Sequence, residues 1–146
     1  WSVLKHMYPD ADIPVIQLSL DYTKDPAYHY ELAKELSFLR SKGVLIAGSG
    51  NIVHNLRIID WKNKERGYDW AEEANSKLKK LMQDGDHKSL IEYEKLGREV
   101  ELSVPTPEHY LPLLYVLALK EEKESISFFN DKTVMGSISM TSLLIK

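Results

Sequence analysis

Val44-Leu45-Ile46-Ala47-Gly48-Ser49-Gly50-Asn51-Ile52-Val53-His54-Asn55-Leu56-Arg57 is the stretch on which the reading of the fold turns. Val44–Ala47 predicts a buried strand, and the small residues after it let the backbone turn sharply. Upstream, Ile13-Pro14-Val15-Ile16-Gln17-Leu18-Ser19-Leu20 is apolar enough to be a strand covered on both faces. Between the two, Asp25 and Pro26 mark a helix start, the aspartate capping and the proline fixing the first turn. Tyr28, Leu32, Leu36 and Leu39 then recur on one helical face, and Gly43 is placed to end it. Strand, helix and strand at this spacing form a βαβ unit, a parallel pair with a right-handed crossover. The expectation is an α/β fold with a mostly parallel central sheet flanked by helices.

Further along, Trp61–Gly67 is polar enough for a surface loop, and Asp69 with Glu72 has the form of a capping box. Trp70, Ala74, Leu78 and Leu81 mark the inward face of the helix that follows, broken by Asp84-Gly85-Asp86. A short helix is expected at Ser89–Tyr93, and the connection from there to Val104 carries little signal. Thr106-Pro107 opens another helix with Leu111, Leu114 and Leu117 inward. Pro112 lacks the N–H that would bond to the Glu108 carbonyl, so a bend is expected beside His109. Ser125–Phe129 and Gly136–Ile145 are β-prone and add C-terminal strands at the sheet edge. Trp1–Met7 reads as the end of a helix, stopped by Tyr8-Pro9-Asp10.

The chain has 146 residues, 43% of them hydrophobic and 28% charged, with a formal charge of −3, which describes one globular domain or a large part of one. That balance argues against a nucleic-acid partner, which needs a concentrated basic face. No cysteine is present, so thiol nucleophiles, iron–sulfur clusters and disulfides are excluded. No apolar run approaches the ~18 residues of a membrane span. The expectation is a cytoplasmic protein with no membrane partner.

Two histidines have the credentials for chemistry. His54 follows an apolar strand and a glycine-rich turn, in the region beyond strand ends where α/β proteins gather their sites. His109 sits in Pro105-Thr106-Pro107-Glu108-His109-Tyr110, a rigid helix entry. The plainer readings are a loop histidine bonded to nearby backbone and a helix histidine paired with Glu108. Neutral imidazoles ligate iron, zinc and copper, but two do not complete a site. Asn55 and Arg57 are candidates to orient a substrate anion. Tyr110 is a candidate to face the site, and Tyr115 reads as core. His6, His29 and His87 read as structural or solvated. Gly48-Ser49-Gly50 lacks both the nucleophile-elbow pattern and the phosphate-loop lysine.

Tyr8–Ser19, Gly48–Arg57, Pro105–Tyr115 and Met135–Met140, in this order, resemble the DOPA 4,5-extradiol dioxygenase branch of the class III extradiol ring-cleaving dioxygenases. The resemblance implies a mononuclear non-haem Fe(II) site, which zinc can occupy instead, that opens a catechol-type ring with O₂. It places His109 among the metal ligands. His54 matches a histidine at the metal site that is either a neighbour of the metal or the acid/base group. The family's other metal-binding histidines lie in GHGSP-like and SAHW-like motifs that this chain lacks. Residues 1–146 are therefore expected to be the C-terminal portion of one extradiol dioxygenase domain, and the N-terminal half is a required partner. Two rival readings are a zinc-dependent hydrolase and a non-catalytic half-domain acting as a binding or oligomerisation module.

Overall fold

A computed structural model describes residues 2–146; Trp1 lies outside it, so the expected helix 1–7 is observed as α1, Ser2–Met7. Asp25 does cap α2 (Pro26–Glu35), its carboxylate accepting from the Tyr28 N–H at 2.7 Å. The helix ends sooner than the apolar spacing suggests and continues as a 3₁₀ turn over Ser37–Lys42, closed by Gly43 in the left-handed region. Its buried face carries His29 and Ala33 and leaves Tyr28 out.

The core lies elsewhere, around α3 (Asp69–Asp84) and α6 (Leu111–Ala118). Ala71, Ala74, Leu78 and Met82 recur at three- and four-residue intervals, so one stripe of α3 is fully inside. Asp69 lies in the first turn of α3, where its charge suits the helix dipole, with Tyr68 at the N-cap and no capping box. Gly85 ends α3, and Asp86 caps the short α4 (His87–Ile91). The segment that carried little signal is helical: α5 spans Arg98–Ser103 and buries Val100. Lys77 ties α3 to this region through Glu99 and the Leu96 carbonyl. Leu111, Leu114 and Leu117 face inward as their spacing predicts.

Tyr110 does not face a site. It is fully buried, packs on Tyr93 and donates its hydroxyl to the Leu90 carbonyl at 2.9 Å. Burial pushes its phenol far above the ordinary range, which keeps the donor in place at every physiological pH. Tyr115 is core, and its hydroxyl meets buried His29 Nδ1 at 3.0 Å. His29 Nε2 reaches the Asp21 carbonyl at 3.1 Å, so this histidine pins α2 to α6.

Among the described residues the expected mostly parallel central sheet is not present. The described residues form two small antiparallel sheets. One pairs β1 (Ile126–Phe129) with β4 (Ser142–Ile145), and the other pairs β2 (Thr133–Val134) with β3 (Ile138–Ser139). Among the described residues the one parallel contact is an isolated bridge between Gly67 and Gly136. Ile13–Leu20 and Val44–Ala47 are strand-like in sequence only, with no ladder among the described residues. A strand needs a neighbour to bond its backbone, and apolar composition specifies burial without specifying that neighbour. No helix among the described residues is long and apolar enough to cross a membrane.

Tyr110→Phe removes the donor to a buried carbonyl while keeping the ring. The expected cost is about 1–3 kcal/mol, read as a lower urea midpoint.

Candidate functional site

The site is built on backbone. The His54 N–H donates to the Ser103 carbonyl at the end of α5 (2.8 Å), and His54 forms an isolated antiparallel bridge with Ile138 of β3. On either side of it, the Ser139 N–H donates to the Val53 carbonyl and the Asn55 N–H to the Ser137 carbonyl. Asn55 adds its side chain: Nδ2 donates to the Leu102 carbonyl at 2.8 Å and Oδ1 receives the Arg57 N–H at 3.1 Å. Ser137 returns its hydroxyl to the Asn55 carbonyl at 2.7 Å. Residues 53–55 are thereby gripped between α5 and the β2–β3 hairpin.

His109 arrives from the other side, on a 3₁₀ turn over Pro107–His109 that runs into α6. Pro112 stands at the start of α6 and not within a longer helix, so the expected bend is a change of helix type. The His109 carbonyl receives the Asn51 N–H at 2.8 Å. A side chain at position 50 would put its Cβ 2.1 Å from that carbonyl oxygen, and one at 48 would meet the Pro112 carbonyl at 2.7 Å. This close approach is what the two glycines provide.

The loops bring His54 and His109 together. Their rings stack with centroids 3.8 Å apart and planes 29° from parallel. His54 is half-buried, and burial is the main cause that depresses its pKa; the neighbouring His109 adds to the effect and Glu108 opposes it. The ring is therefore a neutral base at pH 7. Glu108 is exposed, accepts from the Thr106 hydroxyl at 2.8 Å, and is held below the ordinary carboxylate range by its own backbone N–H, by Thr106 and by the two histidines. A cavity of about 930 Å³, lined in part by Tyr22, Asn55, Arg57, Arg98, Thr106 and Pro107, adjoins these segments, and neither His54 nor His109 is among its lining residues.

The histidine pair has the right donor chemistry for a non-haem metal. It is not a complete metal site: among the described residues no group of three or more His, Asp or Glu side chains could hold an ion. The other three histidines stand apart. His6 bonds the Ser2 carbonyl, His29 is the α2–α6 pin, and His87 Nδ1 meets the Tyr30 hydroxyl at 2.6 Å. Sequence reasoning missed the supporting residues Asn51, Ser103, Ser137 and Ser139. Their one legible signal is the Ser137-Ile138-Ser139 alternation, small polar residues flanking an apolar one in a strand.

An α-helical core holding two loop-borne imidazoles on a backbone clamp defines a scaffold for metal-assisted or acid/base chemistry. Residues 2–141 match the family described as the catalytic LigB subunit of aromatic ring-opening dioxygenase, and the chain belongs to that family. Over 99% of its length it is 45% identical to a 4,5-DOPA dioxygenase extradiol of Escherichia coli K12, of which it covers 54%. It is 32% identical to the 4,5-DOPA dioxygenase extradiol of Beta vulgaris, covering 53% of that protein. A crystal structure of an uncharacterized protein from Escherichia coli K12 has the same fold, with a TM-score of 0.89 and 42% identity, over 98% of this chain and 59% of that one. The chain thus spans about half the length of the curated relatives it matches.

The His54 ring should titrate below the ordinary imidazole value in an NMR pH series. Glu108→Gln should lower the midpoint further and His109→Gln should raise it. Because the folded state binds this proton less readily than the unfolded chain, the His54 contribution to stability is present above the ordinary value and is lost as pH falls through the depressed one.

Proposed function

We propose that this chain serves an extradiol dioxygenase that opens the ring of a catechol-type substrate with O₂. The observation that carries this reading is the stacked His54–His109 pair, held by main-chain bonds from two independent elements. Family membership supplies the reaction class, and the two curated relatives, each named a 4,5-DOPA dioxygenase extradiol, point to a catechol that bears an amino-acid side chain. In this reading His109 is a metal donor, His54 stands beside the metal as the acid/base group, and the remaining donors come from the part of a family member that this chain does not span. The metal is Fe(II), with zinc an alternative occupant, and when bound it would hold catechol and O₂ side by side.

The chain's own residues do the proton work. A neutral His54 accepts a proton from a catechol hydroxyl and later returns it, which a depressed pKa favours at neutral pH. Glu108, ionised nearby, steadies the imidazolium in between. The guanidiniums of Arg57 and Arg98 line the cavity without an ion-pair partner among the described residues, and would receive a substrate carboxylate. The count of two imidazoles also favours a narrower statement for the chain by itself: it is a half-domain whose site is completed by another segment. Its cysteine-free composition suits a reducing, cytoplasmic setting.

In the full-length protein, His54→Ala should cut ring opening by about 10²-fold or more while most of the metal stays bound. His109→Ala should instead lower metal content, measured by elemental analysis. Near-normal turnover in the first variant removes the acid/base role, and unchanged metal content in the second removes His109 from the ligands.

A further inference from the structure

Each imidazole is fixed through its main chain, and one residue outside the pair touches both fixings. Asn51 gives its N–H to the His109 carbonyl at 2.8 Å, and its side-chain Nδ2 donates to the Ser139 carbonyl at 2.7 Å. Ser139 in turn gives its N–H, at 2.9 Å, to the carbonyl of the peptide that joins Val53 to His54. Asn51 and Ser139 therefore make a continuous hydrogen-bonded bridge from one histidine to the other.

Neighbours set up both ends of the bridge. The His109 carbonyl is open to Asn51 because α6 makes no use of it. Position 112, which would bond it in a 3₁₀ turn, is proline and has no N–H, and the Leu113 N–H is spent on the Tyr110 carbonyl at 3.0 Å. Ser139 is fully buried and fixed from behind. Its hydroxyl donates to Asn75 Oδ1 at 2.6 Å and accepts the Thr141 N–H at 3.1 Å. Asn75 Nδ2 then donates to Asp131 at 3.3 Å, and Lys79 pairs with the same carboxylate.

We propose that Asn51 is a positioning residue that sets the separation of the His54 and His109 rings. The backbone N–H at position 51 is common to every residue except proline, but the bond to Ser139 needs a side chain. That side chain must also be a donor, since its target is a carbonyl oxygen. With the bridge in place, the His109 turn and residues 53–55 move as one unit, and the rings keep their 3.8 Å stack. Without it, each imidazole follows its own support, α6 for one and the β2–β3 hairpin with α5 for the other. Asn51 acts through the two histidines and touches no reacting atom in this role. Its effect on rate rests on the functional reading above, whereas its effect on the rings rests on the geometry alone.

The test uses the full-length protein with histidine rings isotopically labelled, as wild type, Asn51→Asp and Asn51→Gln. Asp keeps the size of the side chain and removes the donor; Gln keeps the donor on one more methylene. NMR of the metal-free protein, at one pH above the imidazole titration range, reads the His54 and His109 signals, which each stacked ring displaces in the other. In Asn51→Asp both sets should move together, while the His29 signal in the α2–α6 joint stays in place. With Fe(II) and DOPA, the same variant should lose about 10²-fold in kcat with KM little changed, and Asn51→Gln should recover most of that loss. A residue that only fills space gives the opposite order, Asp milder than Gln, and that order overturns the proposal. Unmoved His54 and His109 signals in Asn51→Asp also overturn it, as does a loss carried by KM. If Asn51→Asp fails to fold, seen as loss of the His29 signal, Asn51→Ala carries the same expectations without adding a charge. A wild type that opens no ring removes the dioxygenase reading and leaves the ring signals to decide the positioning role. An active wild type with normal turnover in Asn51→Asp does the reverse.

Discussion

The grip on residues 53–55 is the constraint from which the rest follows. An imidazole on a loop is useful only if the loop cannot wander, and here the loop is bonded on both sides by main-chain groups of α5 and of the β2–β3 hairpin. Those two elements must in turn be fixed. α5 is held on α3 through Val100 and the Lys77–Glu99 pair, and the hairpin is held by Ser139, whose hydroxyl meets Asn75 on α3 at 2.6 Å. α3 is thus the common anchor for both jaws. Its fully buried Ala71, Ala74 and Leu78 make it hard to displace without opening the core.

The second imidazole is tied to the first by a backbone contact, the Asn51 N–H on the His109 carbonyl, made possible by Gly50. α6 then carries the geometry outward, because α2 is pinned to it through His29 and Tyr115. A histidine that reads as ordinary in sequence proves to be a fully buried joint between two helices. Its role is mechanical and it takes no part in the site.

Local signals in the sequence were reliable where their cause is local. Asp25-Pro26, Gly85 and the Leu111–Leu114–Leu117 stripe are found where spacing and capping place them, since each depends on a few neighbouring residues, whereas the short helix expected at Ser89–Tyr93 begins earlier, at His87, because Asp86 caps it. The paired histidines were legible from their motifs, and the structure brings them into contact. What the sequence could not deliver was pairing. Ile13–Leu20 and Val44–Ala47 have the composition of buried strands, but a ladder requires a second strand, and none among the described residues takes that place. α5 was missed because Arg98–Ser103 is short and turns only Val100 and Ser103 inward. Tyr110 was misplaced because adjacency to His109 in sequence says nothing of direction: on a helical turn, successive side chains diverge by about 100°.

Holding the site by main chain has a consequence for how such proteins diversify. Leu56, Arg57 and Ile58 follow His54 directly, and all three side chains are exposed. None of the bonds that fix His54 runs through these side chains; the turn is tied to Asn55 by the Arg57 N–H on its Oδ1 and the Ile58 N–H on its carbonyl, which any residues except proline provide. Replacement of these side chains is therefore decoupled from the position of the imidazole. Evolution can rewrite the rim of the site, and with it ligand preference, while the reactive geometry is inherited unchanged.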